Sequence, residues 1–176
     1  MIDFGKKLKE AKVAKALRPE EIYDSLDRTT EAGPLREVQK NILEEWYEHY
    51  RDKKDLIIKL HTGEGKTLIG LLILQSILNQ KAGPSIYICP TKNLAAQVMK
   101  EAKKFGIPFC TITDSYLPVE YENGDKILIT YVHKVFNGRT VFGRRGQTIA
   151  FGCCILDDSH ACIESIQANF TLKIPR

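Results

Sequence analysis

The chain has 176 residues, of which 43% are hydrophobic and 27% are charged, with a formal net charge of +4. These values fit one globular domain with its own core, exclude two full domains, and argue against an intrinsically disordered chain. The mildly basic balance permits contact with a polyanion but does not by itself indicate one.

The amino-terminal part reads as short helices. Lys6–Leu17 and Glu20–Asp27 show amphipathic helical spacing, and the Ala32-Gly33-Pro34 segment then breaks the pattern. Apolar residues at helical spacing predict a longer helix from Pro34 to Tyr50. We therefore expect an N-terminal helical extension, residues 1–33, followed by a second unit, residues 34–176.

Strands and helices alternate through this second unit. The predicted strands are Asp55–Leu60, Ser85–Cys89, Phe109–Thr113, Lys126–Thr130 and Thr148–Leu156, with Phe170–Ile174 as a further candidate. The predicted helices are Lys66–Asn79, Lys92–Phe105 and Val132–Phe136. Near-continuous apolar runs such as SIYIC and ILIT are typical of strands that helices cover on both faces. The pattern predicts an α/β fold with a mainly parallel sheet.

The sequence shows neither a membrane-spanning segment nor a secretion signal. The longest apolar run, Leu68–Leu74, is interrupted by Gly70, whereas a membrane span needs about 20 apolar residues. The amino terminus MIDFGKKLKEAK carries charges where a signal peptide has an apolar segment. We expect a soluble, cytoplasmic protein without membrane contact.

The cysteines form no CxxC pair, and with His160 their spacing matches none of the usual zinc patterns. We expect reduced, mostly buried thiols, with Cys153 and Cys154 on opposite faces of a strand. The five positions are Cys89, Cys110, Cys153, Cys154 and Cys162.

The segment HTGEGKT, from His61 to Thr67, carries the strongest chemical signal. Its glycines let backbone N–H groups turn toward phosphate oxygens, and the following helix adds a positive dipole end. Lys66 would then contact the β- and γ-phosphates, and the Thr67 hydroxyl would bind Mg²⁺. The strict phosphate-loop pattern has a glycine where Leu60 stands, so the match is partial. An ordinary strand-to-helix turn is the competing interpretation.

The segment ILDDSH is the second signal, because an apolar strand delivers Asp157 and Asp158 to the carboxyl edge of the sheet. Ligands bind at that edge in open α/β sheets, and adjacent carboxylates favour a divalent cation. A helix N-cap is the alternative role for these residues.

Five segments in order resemble the first RecA-like domain of superfamily 2 DExH/D helicases: LREVQ, HTGEGKT, PTKNLAAQ, GDKILIT and DDSH. The resemblance covers most of residues 34–160 and implies a RecA-like P-loop domain that binds ATP and Mg²⁺. It also implies nucleic-acid contact through the backbone and a second RecA-like domain, which would follow this chain in the full-length protein.

The resemblance assigns roles residue by residue. Arg36 and Gln39 match the motif that contacts adenine. The cofactor-binding loop comprises Thr62, Gly63, Glu64, Gly65, Lys66 and Thr67. Catalytic roles fall on Lys66, Asp157, Asp158 and His160, metal binding falls on Thr67 and Asp157, and nucleic-acid contacts fall on Thr91, Lys92 and Thr130.

Several of these residues have plainer interpretations that stay open. Gln39 would then be an exposed helix residue, Thr91 a helix N-cap, which is compatible with a contact role, and Lys92 a solvent-facing charge. The family has glutamate where this chain has Asp158, and the shorter side chain predicts slow hydrolysis.

Together these features predict the nucleotide-binding half of an ATP-dependent helicase or translocase, with little turnover by this chain alone. The alternative is a binding module that ATP switches with little or no hydrolysis. An unrelated P-loop kinase is disfavoured, because PTKNLAAQ and DDSH would need separate explanations.

Overall fold

A computed structural model describes residues 15–61, 63–113, 116–138, 140–146 and 151–171. The α-helices are α1 (Pro19–Ser25), α2 (Glu37–Glu45), α3 (Lys66–Asn79), α4 (Lys92–Lys104), α5 (Val119–Glu122), α6 (Val132–Val135) and α7 (Ser159–Phe170). The strands are β1 (Ser85–Cys89), β2 (Phe109–Cys110), β3 (Ile127–Tyr131) and β4 (Cys153–Leu156). A π-helical turn, Trp46–Tyr50, extends α2, and a 3₁₀ turn covers Val141–Gly146.

The four strands form one parallel sheet in the order β2-β3-β1-β4. Successive residues of β3 point to opposite faces: Ile127 and Ile129 join the core that α1 to α4 cover, and Leu128 joins the core beneath α6 and α7. The predicted α/β fold, with a mainly parallel sheet and helices on both faces, is confirmed.

Helix α3 is the centre of the larger core. Every residue from Leu68 to Leu78 is buried, and a helix that is apolar all round is expected inside a fold. It packs against the sheet and also against α1, α2 and α4. Ile22 and Tyr23 of α1 therefore belong to the same core as the sheet. The domain boundary at residue 33 stays a prediction.

The predicted strand Asp55–Leu60 is wrong. This segment forms no regular secondary structure, and its residues 55–59 are exposed, with Ile57 at 78%. None of its backbone groups bonds to another described backbone group. Apolar content indicated a buried strand, but a strand also needs a partner for its N–H and C=O groups. In the described part of the chain, β4 is the edge strand of the sheet, and residues 55–60 do not pair with it. The nearby helices α1 and α2 pack on α3.

Other predicted elements are confirmed with changed bounds. The helix predicted from Pro34 begins at Glu37, and the strand predicted over Phe109–Thr113 is only two residues long. Most of the predicted helix Lys6–Leu17 lies outside the described residues, as do residues 148–150 of the last predicted strand. Phe170 ends α7, and residues 172–174 of the further candidate strand also lie outside the described part.

The cysteine predictions are confirmed in part, because Cys89 and Cys162 are buried whereas Cys110, Cys153 and Cys154 are only partly buried. All five thiols are free, and Cys153 and Cys154 pack into opposite cores of the sheet. Burial raises the pKa of Cys89 and Cys154 to about 12 each and that of Cys162 to about 11. These thiols therefore stay protonated near neutral pH.

Candidate nucleotide-binding site

The loop before α3 has the backbone shape of an anion cradle. Gly63 and Gly65 have φ values of 91° and 78°, in the left-handed region that glycine tolerates best. Gly65 ends the loop as the N-cap of α3, whose first N–H groups lack partners within the helix. A glycine loop followed by the positive end of a helix dipole has the geometry that commonly binds anions such as phosphate.

Two side chains from the start of α2 hold this loop. The guanidinium of Arg36 donates to the Gly63 carbonyl at 2.7 Å, and the Gln39 amide donates to the Glu64 carbonyl at 3.1 Å. The Gln39 carbonyl oxygen also accepts the Arg36 backbone N–H at 3.0 Å. Gln39 is only 5% exposed, so its interpretation as an exposed helix residue is wrong.

Gly65 is required for steric reasons as well as for its φ angle. A Cβ atom at this position would lie 2.1 Å from Nε2 of Gln39.

The Glu64 side chain also stabilises this loop. Its carboxylate accepts the His61 backbone N–H at 2.7 Å, so Glu64 helps to fix the loop's own shape. Thr62, the remaining loop residue assigned from the sequence, lies outside the described residues.

Lys66 and Thr67 occupy the first turn of α3, with Lys66 exposed and Thr67 half-buried. Both line a cavity of about 710 Å³, within the usual range of about 300 to 1,000 Å³ for small-molecule sites. Asp157 lines the same cavity. The structure therefore brings Asp157 to the same cavity as Lys66 and Thr67, although Asp157 lies about 90 positions later in the chain.

Asp157 is placed by the register of β4. Ile88 of β1 pairs with Leu156, and the next backbone N–H, that of Asp157, donates to the Ile88 carbonyl at 2.8 Å. Burial raises the pKa of the Asp157 carboxyl, while the Tyr87 hydroxyl and the Lys66 charge partly oppose that rise. A half-buried carboxylate of this kind is stabilised by a cation.

Tyr87 is a residue of this site that sequence reasoning missed. Its hydroxyl interacts with both Thr67 and Asp157. The available signal was a tyrosine within the otherwise apolar run SIYIC, together with Gly70 inside the apolar helix α3. A Cβ atom at Gly70 would lie 2.9 Å from the Tyr87 ring, so this glycine makes room for the tyrosine.

The donor set at the cavity fits Mg²⁺. Thr67 offers a hydroxyl and Asp157 a carboxylate, and Mg²⁺ prefers oxygen ligands, with one or two carboxylates completed by phosphates and water. Across the described ranges, His, Cys, Asp and Glu form no group of three or more that could enclose a metal ion. The arrangement therefore suits an ion that arrives with a phosphate ligand.

Asp158 and His160 lie at the start of α7 and are both exposed. Asp158 has a φ of 48°, and its carboxylate accepts the Ala161 backbone N–H at 3.4 Å. The N-cap role weighed for the acidic pair is therefore occupied by Asp158, whereas Asp157 is the carboxylate that lines the cavity.

The three assigned nucleic-acid residues do not share one surface. Thr91 is exposed and caps α4, accepting the Leu94 N–H at 3.3 Å, and Lys92 beside it is exposed. Thr130 is only 2% exposed within β3. The structure places Thr91 and Lys92 together and leaves the Thr130 side chain inside the sheet.

The cavity is also lined by residues of α1, of the segment before α2 and of the last turns of α4. They include Tyr23, Gly33, Lys104 and Phe105. The buried Tyr23 donates its hydroxyl to the Gly33 carbonyl at 2.6 Å, and its ring lies 6.0 Å from that of Phe105. Lys104 and Phe105 are partly exposed, and an aromatic ring beside a cation suits the planar base of a nucleotide.

No helix in the described part of the chain combines the length and the apolar content needed to cross a bilayer.

Comparison with known proteins gives one match. Residues 33–173 match the family model described as "Type III restriction enzyme, res subunit". No curated protein and no solved structure matches the chain significantly. The matched region includes the phosphate loop, the sheet and the acidic pair.

Proposed function

Because the chain belongs to the Type III restriction enzyme res subunit family, with a helicase-type RecA-like ATP-binding domain at residues 33–173, we propose that it binds Mg-ATP on the loop before α3. We further propose that it is the nucleotide-binding half of an ATP-dependent helicase or translocase. The main supporting observation is that Lys66, Thr67 and Asp157 line one cavity.

Each residue of the cavity has a separate task in this proposal. The N–H groups of the loop and the Lys66 ammonium bind the β- and γ-phosphates. Thr67 and Asp157 hold Mg²⁺, which when bound neutralises charge on the phosphoryl group in transfer. Arg36 and Gln39 keep the loop in shape through their bonds to Gly63 and Glu64.

Contact between Gln39 and adenine is compatible with these bonds. A glutamine side chain has two N–H donors and two acceptor lone pairs. The intramolecular bonds of Gln39 use one donor and one lone pair. One of each therefore stays available for the edge of a base.

Asp158 and His160 carry the proposed hydrolytic and coupling roles. Asp158 would orient the attacking water, and His160 would connect the ATP site with a second RecA-like domain. The N-cap bond of Asp158 is long, at 3.4 Å, and a carboxylate can accept further hydrogen bonds. A water molecule can therefore share this side chain.

Nucleic acid is the proposed macromolecular partner, contacted through its backbone by Thr91 and Lys92. Both residues are exposed where α4 begins, beside the carboxyl end of β1. The family is named after a restriction enzyme, a class that acts on DNA, which makes duplex DNA the first partner to test. A cytoplasmic location stays a prediction.

A nucleotide-switched binding module with little turnover is the second candidate. Two features of Asp158 favour it. The carboxylate is already engaged as a helix cap, and the side chain is one methylene shorter than the family's glutamate. The two candidates share the binding site and differ in whether bound ATP is hydrolysed.

Thermal stability with Mg-ADP tests the binding site directly. A ligand at about 100 times its Kd stabilises the fold by about 2.7 kcal/mol, which corresponds to several degrees in Tm for a domain of this size. Lys66→Ala should remove most of the shift. Lys103→Ala, which changes an exposed lysine of α4 outside the cavity, should preserve it. An unchanged wild-type Tm at millimolar nucleotide would contradict the proposal.

ATP turnover separates the two candidates. Turnover by this chain alone should be very low, because an arginine supplied by a partner domain is worth about 10³- to 10⁵-fold in related systems. In the full-length protein, the motor proposal predicts hydrolysis that rises with nucleic acid and is lost in Asp158→Asn. Hydrolysis that stays low with single- and double-stranded DNA and RNA would support the switch.

A further inference from the structure

Tyr87 occupies an unusual place in the sheet. It lies in the middle of β1, is only 1% exposed, and faces the first turns of α3 on the larger core. Its ring fits there because position 70 has no side chain: a Cβ atom at Gly70 would approach Cε2 of Tyr87 to 2.9 Å and Cδ1 of Ile155 to 3.4 Å. The glycine in α3 and the tyrosine in β1 therefore form a complementary pair.

The hydroxyl group of Tyr87 has two polar neighbours, the Thr67 hydroxyl and the Asp157 carboxylate. The strand register agrees with this placement, because Tyr87 pairs with Ile155, two residues before Asp157. The Tyr87 ring lies against Gly70, about one helical turn after Thr67. A tyrosine hydroxyl can donate to Asp157 while accepting from Thr67. Tyr87 does not line the cavity, whereas both of its partners do, so it lies directly behind them.

Tyr121 provides an internal comparison. It is also fully buried, at 0% exposed, but its hydroxyl has no hydrogen-bond partner among the described residues. Buried tyrosine hydroxyls usually find partners. The polar neighbours of the Tyr87 hydroxyl are the two side chains that the proposed function assigns to Mg²⁺.

We propose that Tyr87 is a positioning residue of the magnesium site, whose hydroxyl joins Thr67 and Asp157 from behind and keeps their oxygens oriented toward the ion. This inference rests on the proposed function, because it concerns the same site. Hydrogen bonds behind metal ligands fix ligand orientation, and their removal typically weakens metal affinity by about 10- to 100-fold. Tyr87 thus sets the affinity for the ion and leaves the direct phosphate contacts unchanged.

The test measures the binding of a fluorescent ADP analogue to residues 1–176 in EDTA and across a Mg²⁺ titration. Y87F removes the hydroxyl and keeps the ring, and Y121F is the matched control at a buried tyrosine outside the site. In Y87F the Mg²⁺ concentration for half-maximal effect should rise about 10- to 100-fold. The affinity in EDTA should change by less than about twofold, because no phosphate contact of the loop is altered. Y121F should behave as wild type in both conditions.

Each result has a separate meaning. Wild-type protein that binds no nucleotide, or binds it without regard to Mg²⁺, would overturn the proposed function and the role of Tyr87 with it. Mg²⁺-dependent binding that is identical in wild type and Y87F would overturn the role of Tyr87 alone. Equal losses with Mg²⁺ and with EDTA would show that Tyr87 serves only packing, which also overturns the proposal.

A second variant moves the hydroxyl without removing it. G70A places a methyl group against the Tyr87 ring and should also raise the Mg²⁺ requirement, by less than Y87F does. If Y87F loses its far-UV circular dichroism spectrum, G70A serves as the test under the same criteria. A folded G70A protein with an unchanged Mg²⁺ requirement would then count against the proposal.

Discussion

Residues 55–60 and 153–156 make an instructive comparison, since both are apolar runs that precede a polar loop and a helix. The second run is β4, paired in register with β1 and partly buried. The first is unpaired, with Leu56 44% and Ile57 78% exposed. The loops that follow the two runs are therefore held in different ways. Asp157 directly follows the paired strand β4. The loop from His61 to Thr67, here called the phosphate loop, is held by α3 and by the side chains of Arg36 and Gln39.

This difference has a consequence for the site. The phosphate loop is anchored on its carboxyl side by α3, which is buried from Leu68 to Leu78, and by two side chains of the α2 segment. Asp157 is anchored by a backbone bond to β1. We therefore expect substitutions in β4 and in the anchors of the phosphate loop to matter, and substitutions at the exposed residues 55–59 to have little effect on stability.

The largest effect is expected for Ile155→Ala. Ile155 lies in β4 and packs against α3 near Gly70, and shortening a core isoleucine to alanine typically costs about 2 to 5 kcal/mol. Because Ile155 is only partly buried, we expect about 2 to 3 kcal/mol. Urea denaturation measures the change in the free energy of unfolding. A cost below about 0.5 kcal/mol, which is typical of surface substitutions, would contradict the expected difference in stability between the two apolar runs.

Gly65→Ala should have the next largest effect. Alanine at a φ of 78° is strained by about 1 to 2 kcal/mol, and its methyl group would displace the Gln39 amide. Nucleotide binding should be lost together with the loop geometry. Gly138→Ala is the control, because Gly138 does not line the cavity and a Cβ atom there meets nothing within 4 Å. Equal nucleotide affinities in the two variants would show that the anchors do not hold the loop.

A smaller effect is expected at the start of α7. Asp158→Ala removes an N-cap and places alanine at a φ of 48°, for a typical capping cost of about 1 kcal/mol. Asp158→Asn keeps an oxygen that can cap the helix and tolerates this backbone conformation. Thermal denaturation should show a loss in the alanine variant only. A similar loss in both variants would mean that the carboxylate charge, and not the cap, stabilises α7.

The smallest effect is expected for Ile57→Ala, which makes the same chemical change as Ile155→Ala at the unpaired run. Substitutions at exposed positions usually change stability by less than about 0.5 kcal/mol, and Ile57 is 78% exposed. The same urea denaturation applies. A cost near that of Ile155→Ala would show that residues 55–60 pack as a strand in solution.

Much of the fold could be predicted because it depends on local patterns. Near-continuous apolar runs identified β1 and β3 as strands covered on both faces, and GKT at the start of an apolar run located the first residue of α3. The same reasoning failed at residues 55–60. A run of apolar residues records the need for burial but does not say whether a neighbouring strand is present to pair with it.

The sequence by itself determined the class of fold, the glycines of the phosphate loop and the acidic pair, because glycine conformation, helix dipoles and hydropathy act over a few residues. Only the tertiary structure decided which acid lines the cavity, because strand register directs Asp157 inward while helix capping engages Asp158. It alone also brought Tyr87 behind Thr67 and Asp157. That contact depends on the space left by Gly70 in a helix packed across the sheet, between residues that are distant in the chain.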